Sequence, residues 1–415
     1  MNSTHCRSAR ILLRGRQLLA WIGSLLFAAA AAAAEPTIEE RLRTLENQLQ
    51  AITRENTELK KILGWPQNPS RVAPRPAGTE AKLSIGGFLQ FQTEFGHAAD
   101  PRFANIRDRL FFRRARIYVT GSLAEPFDFK AELDLGGNSL NSANGIRAQA
   151  NEVYIHWHRF VGFNLRAGQL KAAYGSENLA GDTTLLTIER TLANDRLADG
   201  RQLAFSASGR LFGERLTYLT VVGNGVGANS SANDNSRFQR SARIAFKPFA
   251  ARTPGALGRL EIGTGGLWSE DNGAAKPGFG FTQNGNLIDN LFVGRRAAWG
   301  IDARWNFNRL DFSGEWLEEH FHPRNRLPAA DLVAHGWHLT AAYTVLPDKW
   351  QLVLRRESFD PGSAAGGNET NLWTLGQNWL IRGDNLKLMV NYLVGKTPGA
   401  PDNSRRLLAR FQVIF

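Results

Sequence analysis

Arg114 and Arg116 stand two apart in a run whose other phase, Ala115, Ile117, Val119 and Gly121, is small or apolar. In an extended chain successive side chains face opposite sides, so the two guanidinium groups share one polar face with Tyr118 and Thr120. Arg166 between Leu165 and Ala167, Arg243 among Ala242, Ile244 and Phe246, and Arg304 among Ala303, Trp305 and Phe307 repeat the arrangement. A permanent cation with a planar fork of N–H donors holds anions, so these positions offer anion binding along a wall. Lys130, Glu132 and Asp134 share a neighbouring polar face, which makes that wall mixed in sign.

Catalytic chemistry has weaker support. His156 and His158 lie two apart on one strand face and His335 and His338 cluster near another rim, yet a metal would need a third and fourth ligand from elsewhere. Alternating histidines beside Trp157 suit an aromatic boundary at a membrane interface. No serine sits in a strand-borne histidine and acid pattern, and Gly223 to Gly227 lacks the lysine and helix that a phosphate loop requires. We expect no enzyme activity, no metal site and no cofactor.

The arginine faces need strands to carry them. After its first eighty residues the chain falls into about sixteen short alternating stretches. The last is the clearest, with Leu407, Ala409, Phe411, Val413 and Phe415 on one side and Arg406, Arg410 and Gln412 on the other. Connectors alternate in length. Seven are short, at 124–126, 159–162, 212–215, 248–258, 308–309, 347–348 and 382–385; eight are long, at 96–108, 136–150, 172–202, 223–236, 269–294, 318–334, 360–370 and 395–404. Tight turns at one rim and long polar loops at the other mark a 16-stranded antiparallel β-barrel of an outer membrane, with an apolar band facing lipid and a polar lumen. A charged side chain on the lipid face at mid-membrane costs about 2–4 kcal/mol, which directs the strand arginines inward.

The N-terminal part divides into residues 1–34, 35–64 and 65–82. Arg7, Arg10, Arg14 and Arg16 precede the apolar run Leu18 to Phe27 and an alanine tract, the pattern of a signal peptide. Cys6, the only cysteine, falls inside it, so the mature chain has no thiol. Between Pro36 and Gly64 the period changes to three and a half: Leu42, Leu49, Asn56 and Leu63 take heptad a positions and Ile38, Leu45, Ile52 and Leu59 take d. This predicts a periplasmic coiled coil in which Asn56 fixes register. The Pro-rich stretch that follows is an extended spacer, and residues 83–415 form the barrel.

The net charge is +12; the leader arginines supply four of it and residues 35–80 balance seven cations with seven anions, so residues 81–415 carry +8. A basic barrel suits small anions and lipopolysaccharide phosphates as partners, besides outer-membrane lipid. Nucleic acid is excluded by export and strand content.

Several stretches resemble the phosphate-selective porin O and P family: Arg113-Arg114-Ala115-Arg116, Phe127 through Asp134, Arg166 to Lys171, Ile188-Glu189-Arg190, Asn378-Trp379, Asn391-Tyr392 and the closing Arg410 to Phe415. The resemblance runs from about Leu83 to the end and rests on order and spacing. It implies a trimeric, anion-preferring porin of a Gram-negative-type bacterium, passing phosphate or polyphosphate, with the third external loop folded inward. Inward folding would explain the apolar Leu185, Leu186 and Ile188 in that loop. It would bring Lys171, Tyr174, Glu189, Arg190 and Arg196 to a constriction. The family's Lys-x-Pro-Phe-Gly-like run is here Lys171-Ala172-Ala173-Tyr174-Gly175, and loss of the proline is expected to loosen the start of the loop. Phe415 matches the terminal aromatic signal recognised by outer-membrane assembly machinery. Two other readings remain, a structural barrel that tethers the envelope through its heptads and a general diffusion porin.

Overall fold

The computed structural model describes residues 82–103, 106–124, 126–136, 148–249, 258–275, 291–324, 331–362, 369–398 and 401–415, a two-residue hairpin at 282–283 and 286–287, and helical positions within 43–54. The barrel begins with β1 (Lys82–Gly96), β2 (Arg109–Ala124), β3 (Phe127–Asp134), β4 (Gln149–Phe160), β5 (Phe163–Lys171), β6 (Arg201–Leu211), β7 (Leu216–Gly223) and β8 (Gln239–Phe246). It continues with β9 (Arg259–Ala275), β10 (Leu291–Phe307), β11 (Leu310–Pro323), β12 (Leu332–Leu346), β13 (Trp350–Asp360), β14 (Thr370–Leu380), β15 (Leu386–Lys396) and β16 (Ser404–Ile414). Each strand pairs antiparallel with its sequence neighbours, and β1 pairs with β16 to close the sheet. Closure leaves no free edge, the condition for a sheet to stand in lipid.

The alternation sorts the side chains as the pattern requires. On β1 Leu83, Ile85, Leu89 and Phe91 are exposed on the outer face, whereas Gln90, Gln92 and Glu94 are buried inside. Ala115, Ile117 and Val119 face outward opposite Arg114 and Arg116, and Ala242, Ile244 and Phe246 likewise opposite Arg243. Some strands run further toward the long-loop rim than their alternation suggested. β9 reaches Ala275, β10 starts at Leu291 and β11 ends at Pro323, because backbone pairing continues above the lipid where no apolar phase is needed. His335 and His338, grouped together on sequence, point to opposite faces of β12: His335 stacks on Trp316 with ring centroids 5.1 Å apart, and His338 is buried inside.

One irregularity shapes the interior. Gln90 pairs with Arg114 but Phe91 pairs with Phe112, so Arg113 is the extra residue of a β-bulge. A bulge breaks the period of two and re-aims a side chain. Arg113 and Arg114 are in consequence both buried.

No helix among the described residues is long and apolar enough to cross a membrane. Separately, Met1–Ile62 forms its own unit, within which Arg43, Thr44, Glu46 to Ala51, Thr53 and Arg54 are helical. Leu49 there is 67% exposed. The remaining heptad positions Ile38, Leu42, Leu45, Ile52, Asn56, Leu59 and Leu63, the leader, and the spacer up to Ala81 lie outside the described residues, whereas Lys82, expected in the spacer, opens β1.

Candidate functional site

The longest connector, residues 172–200, turns into the barrel and carries two short helices, α1 (Ser176–Leu179) and α2 (Leu192–Leu197). Its start is clamped, not loosened. Ala172, Ala173 and Tyr174 are fully buried, Ala173 N donates to Ser241 Oγ at 2.8 Å, and the Tyr174 hydroxyl lies 3.1 Å from Trp299 O and 3.2 Å from Glu318 O. Wall contacts replace what a proline would have fixed. Gly175, at φ +78°, makes the turn into α1 in a conformation that side chains rarely adopt.

The loop leans on one side of the lumen. Tyr174, Leu192, Ala193 and Leu197 pack on Leu267, Phe292, Leu317, Phe321 and Phe359 of β9, β10, β11 and β13. Ile188 packs on Leu372, Met389, Leu393 and Leu408 of β14, β15 and β16, with Ala99 and Phe103 from the first long loop. The apolar loop residues thus have an apolar strip of inner wall to cover, and burying such surface contributes about 25 cal/mol per Å².

Three loop carboxylates complete the seat. Glu177 meets Arg355 of β13 at 2.6 Å and accepts from Thr191 N and Oγ1 at 2.8 Å each. Asp182 meets Arg116 at 2.6 Å, Arg114 at 3.2 Å and Arg190 at 2.5 Å. Glu189 meets Arg410 of β16 at 2.5 Å and the bulged Arg113 at 3.0 Å. Burial alone would raise these acids, yet the arginines outweigh it. They hold Glu177 at about 2 and keep Asp182 and Glu189 well below the ordinary carboxylate range. Removing one partner of such a pair costs about 3–5 kcal/mol, because a buried charge is left uncompensated.

The residues expected to form an anion path therefore divide. Arg114 and Arg116 face the lumen but hold Asp182, and Arg116 also meets Asp134 at 2.7 Å. Arg190 is a loop residue behind Asp182, and Glu189 turns to the wall. Arg243 pairs with Asp302 at 2.8 Å, and Arg304, half-exposed near the short-turn rim, pairs with Asp311 at 3.2 Å. Tyr174 and Arg196 are buried and do not line the cavity on the other side of the loop. Arg166 and Lys171 do line it. Sequence reasoning assigned no role to Arg102, Arg113, Arg201, Arg296 or Arg355; the 113–116 cluster was visible, but the bulge that turns Arg113 inward was not.

The open space lies on the other side of the loop, a cavity of about 600 Å³ between residues 179–183 and the wall from β1 to β7. Five cations line it, Arg116, Lys130, Arg166, Lys171 and Arg201, against three carboxylates, Glu132, Glu152 and Asp182. Lys130 meets Glu132 at 2.7 Å and Glu152 at 3.0 Å, and Arg201 meets Glu152 at 3.1 Å. Among the described residues neither Arg166 nor Lys171 has a carboxylate at ion-pair distance. Lys171 Nζ donates to the loop carbonyls of Asn178 at 2.5 Å and Ala180 at 3.4 Å, and the Arg166 guanidinium lies 5.0 Å from the Tyr154 ring centre. The cavity wall is thus net positive, with its unpaired cations on β5.

The family described as "Phosphate-selective porin O and P" matches residues 89–264 and 280–415. Porin O of Pseudomonas aeruginosa is 24% identical over 347 residues, 77% of this chain and 75% of that protein. Among solved structures, an anion-selective porin from Comamonas acidovorans superposes with a TM-score of 0.57 at 13% identity, covering 81% of this chain and 100% of that one. The outer membrane channel DcaP of Acinetobacter baumannii gives 0.55 at 13% identity over 82% and 99%. The trimer form of OmpT from Vibrio cholerae gives 0.55 at 11% identity over 81% and 100%.

Proposed function

Because this chain belongs to the phosphate-selective porin O and P family, we propose that its outer-membrane barrel passes small anions, phosphate among them, by diffusion along the β1 to β7 side of the inward loop. The observation that carries this is the surplus of positive charge in the cavity, where Arg166 and Lys171 have no carboxylate counter-ion among the described residues while the other inward arginines named above hold the loop or pair with wall acids. Cations lining a narrow pore replace part of an anion's hydration and repel cations. The names of the Pseudomonas and Comamonas relatives support the same reading.

The N-terminal segments extend it. Residues 1–34 are a signal peptide, residues 35–64 a periplasmic coiled coil and residues 65–82 a spacer, and the assembly is a homotrimer. The heptad spacing and the exposure of Leu49 in the single chain support self-association. Lipopolysaccharide and the outer-membrane assembly machinery are the expected envelope partners.

The test is the reversal potential of purified protein in a planar bilayer under a potassium chloride gradient. The channel should favour chloride, and Arg166→Glu should move the potential toward potassium. The shift should grow at low salt, since screening reaches about 10 Å at 0.1 M and about 30 Å at 0.01 M. A parent channel without anion preference overturns the reading, and absence of conductance returns the tether as the better account.

A further inference from the structure

The cavity wall has a second character that a path for inorganic ions does not require. Three of its cations each stand over an aromatic ring that also faces the cavity. Arg116 lies 5.3 Å from the Phe88 ring centre, Lys130 Nζ 5.3 Å from that of Tyr118, and Arg166 5.0 Å from that of Tyr154. The pairs follow one another across β1 to β5, since Phe88 is in register with Arg116 and Lys130 with Tyr154. Beside the last pair the wall turns apolar: Tyr154 and Leu219 pack against a patch formed by Leu170, Ala204 and Val221 with Ala173 at the start of the inward loop. Leu219 and Tyr154 remain half-buried and line the opening.

We propose that this is a subsite for organic anions, in which a phosphate or carboxylate meets Arg166 and an attached aromatic or apolar body lies against Tyr154 and Leu219. The inference deepens the anion-channel reading and rests on it. A bare oxyanion gains nothing from Leu219 or from a ring face, whereas a solute with an apolar body removes both from water as its charge is met. Arg102 and Arg406 also stand over a ring, Phe103, on the other side of the lumen, but that ring is buried. On the opposite side the apolar wall is already covered by the inward loop, so Leu219 and Tyr154 belong to the apolar surface left beside the passage.

The experiment compares two dianions of equal charge, methyl phosphate and phenyl phosphate, as blockers of chloride current through full-length protein in a bilayer. Phenyl phosphate should reach half-block at a concentration about two- to tenfold lower, the worth of one aromatic contact. Leu219→Ser should bring the ratio toward one, Leu219→Met should retain it, and Arg166→Gln should weaken block by both solutes. Equal block by the two phosphates in the parent protein overturns the inference, as does a parent-like ratio in conducting Leu219→Ser channels. Anion preference is read separately from the reversal potential, so a channel that prefers chloride yet does not distinguish the two blockers refutes the subsite and leaves the function above intact.

Discussion

Asp182 in the inward loop sits 2.6 Å from Arg116 on β2, so the loop brings with it the counter-charge for an arginine of the wall. The same carboxylate meets Arg114 and Arg190. Asp182→Asn should leave three guanidinium groups short of one negative charge and remove one of the loop's seats. Anion preference in the bilayer should rise and single-channel conductance should increase, with a stability loss of about 3–5 kcal/mol if no other carboxylate moves in. Parent-like values of both would show that Asp182 neither screens the wall nor holds the loop.

Glutamate at both Arg114 and Arg116 has a compound outcome for the same reason. Two acids would then face Asp182, Glu132 and Asp134. The reversal potential should move toward cation selectivity together with a change in conductance, because the loop segment near Asp182 loses its anchor. A selectivity change at unaltered conductance would mean that the arginines act on solutes alone.

Acid should release the loop at Glu177. Burial raises this carboxyl, but Arg355 overrides it and holds it near 2 against an ordinary value of 4.5. The group is depressed in the folded protein, so its contribution is fully present above about 4.5 and is lost as the pH falls toward 2. Current noise should therefore be steady from neutral pH down to about 4.5 and grow below it, while Glu177→Gln should be noisy already at neutral pH. Noise independent of pH in the parent and unchanged in the variant would remove Glu177 from the seat.

Deleting Phe415 should lower the yield of folded barrel. Phe415 N donates to Gly87 O at 3.0 Å and Gly87 N to Phe415 O at 2.9 Å, so the terminal residue makes the last rungs of the closing pair β1 and β16. Heat-modifiable migration of membrane fractions measures it. Unchanged yield would count against both the rungs and a recognition role for the terminal aromatic.

A peptide spanning residues 38–63 should form a helical trimer, and Asn56→Leu should raise its stability while broadening its oligomer distribution. Sedimentation equilibrium with circular dichroism reads both. A peptide that stays monomeric and unfolded at high concentration would leave the heptad pattern without a partner.

The barrel was legible because its signal is simple. A period of two interrupted by alternately short and long polar connectors leaves few other folds, and each strand of the barrel contains an alternating stretch, although several run past its end. The interior was less so. Strict alternation sends Arg113 to the lipid face, and the register shift at Gln90/Phe91 that reverses this depends on pairing between strands. A polar lumen was assumed throughout, so inward Phe292, Leu317 and Phe321 carried no meaning until Tyr174 and Leu192 were found against them. The direction of Arg114 and Arg116 followed from phase, but their counter-ion did not. Asp182 is 66 residues from Arg116 in the chain, and only the fold of the loop brings the two together.

Glu189 joins Arg113 near the start of the barrel to Arg410 near its end, across a sequence separation of 221 residues on the latter side. Contacts so remote in sequence form late, after the entropy of closing a long loop has been overcome. The inward loop therefore cannot take its final seat on an open sheet. Until β16 meets β1, Glu189 has only half of its partners. The passage acquires its final width in the same event that seals the barrel.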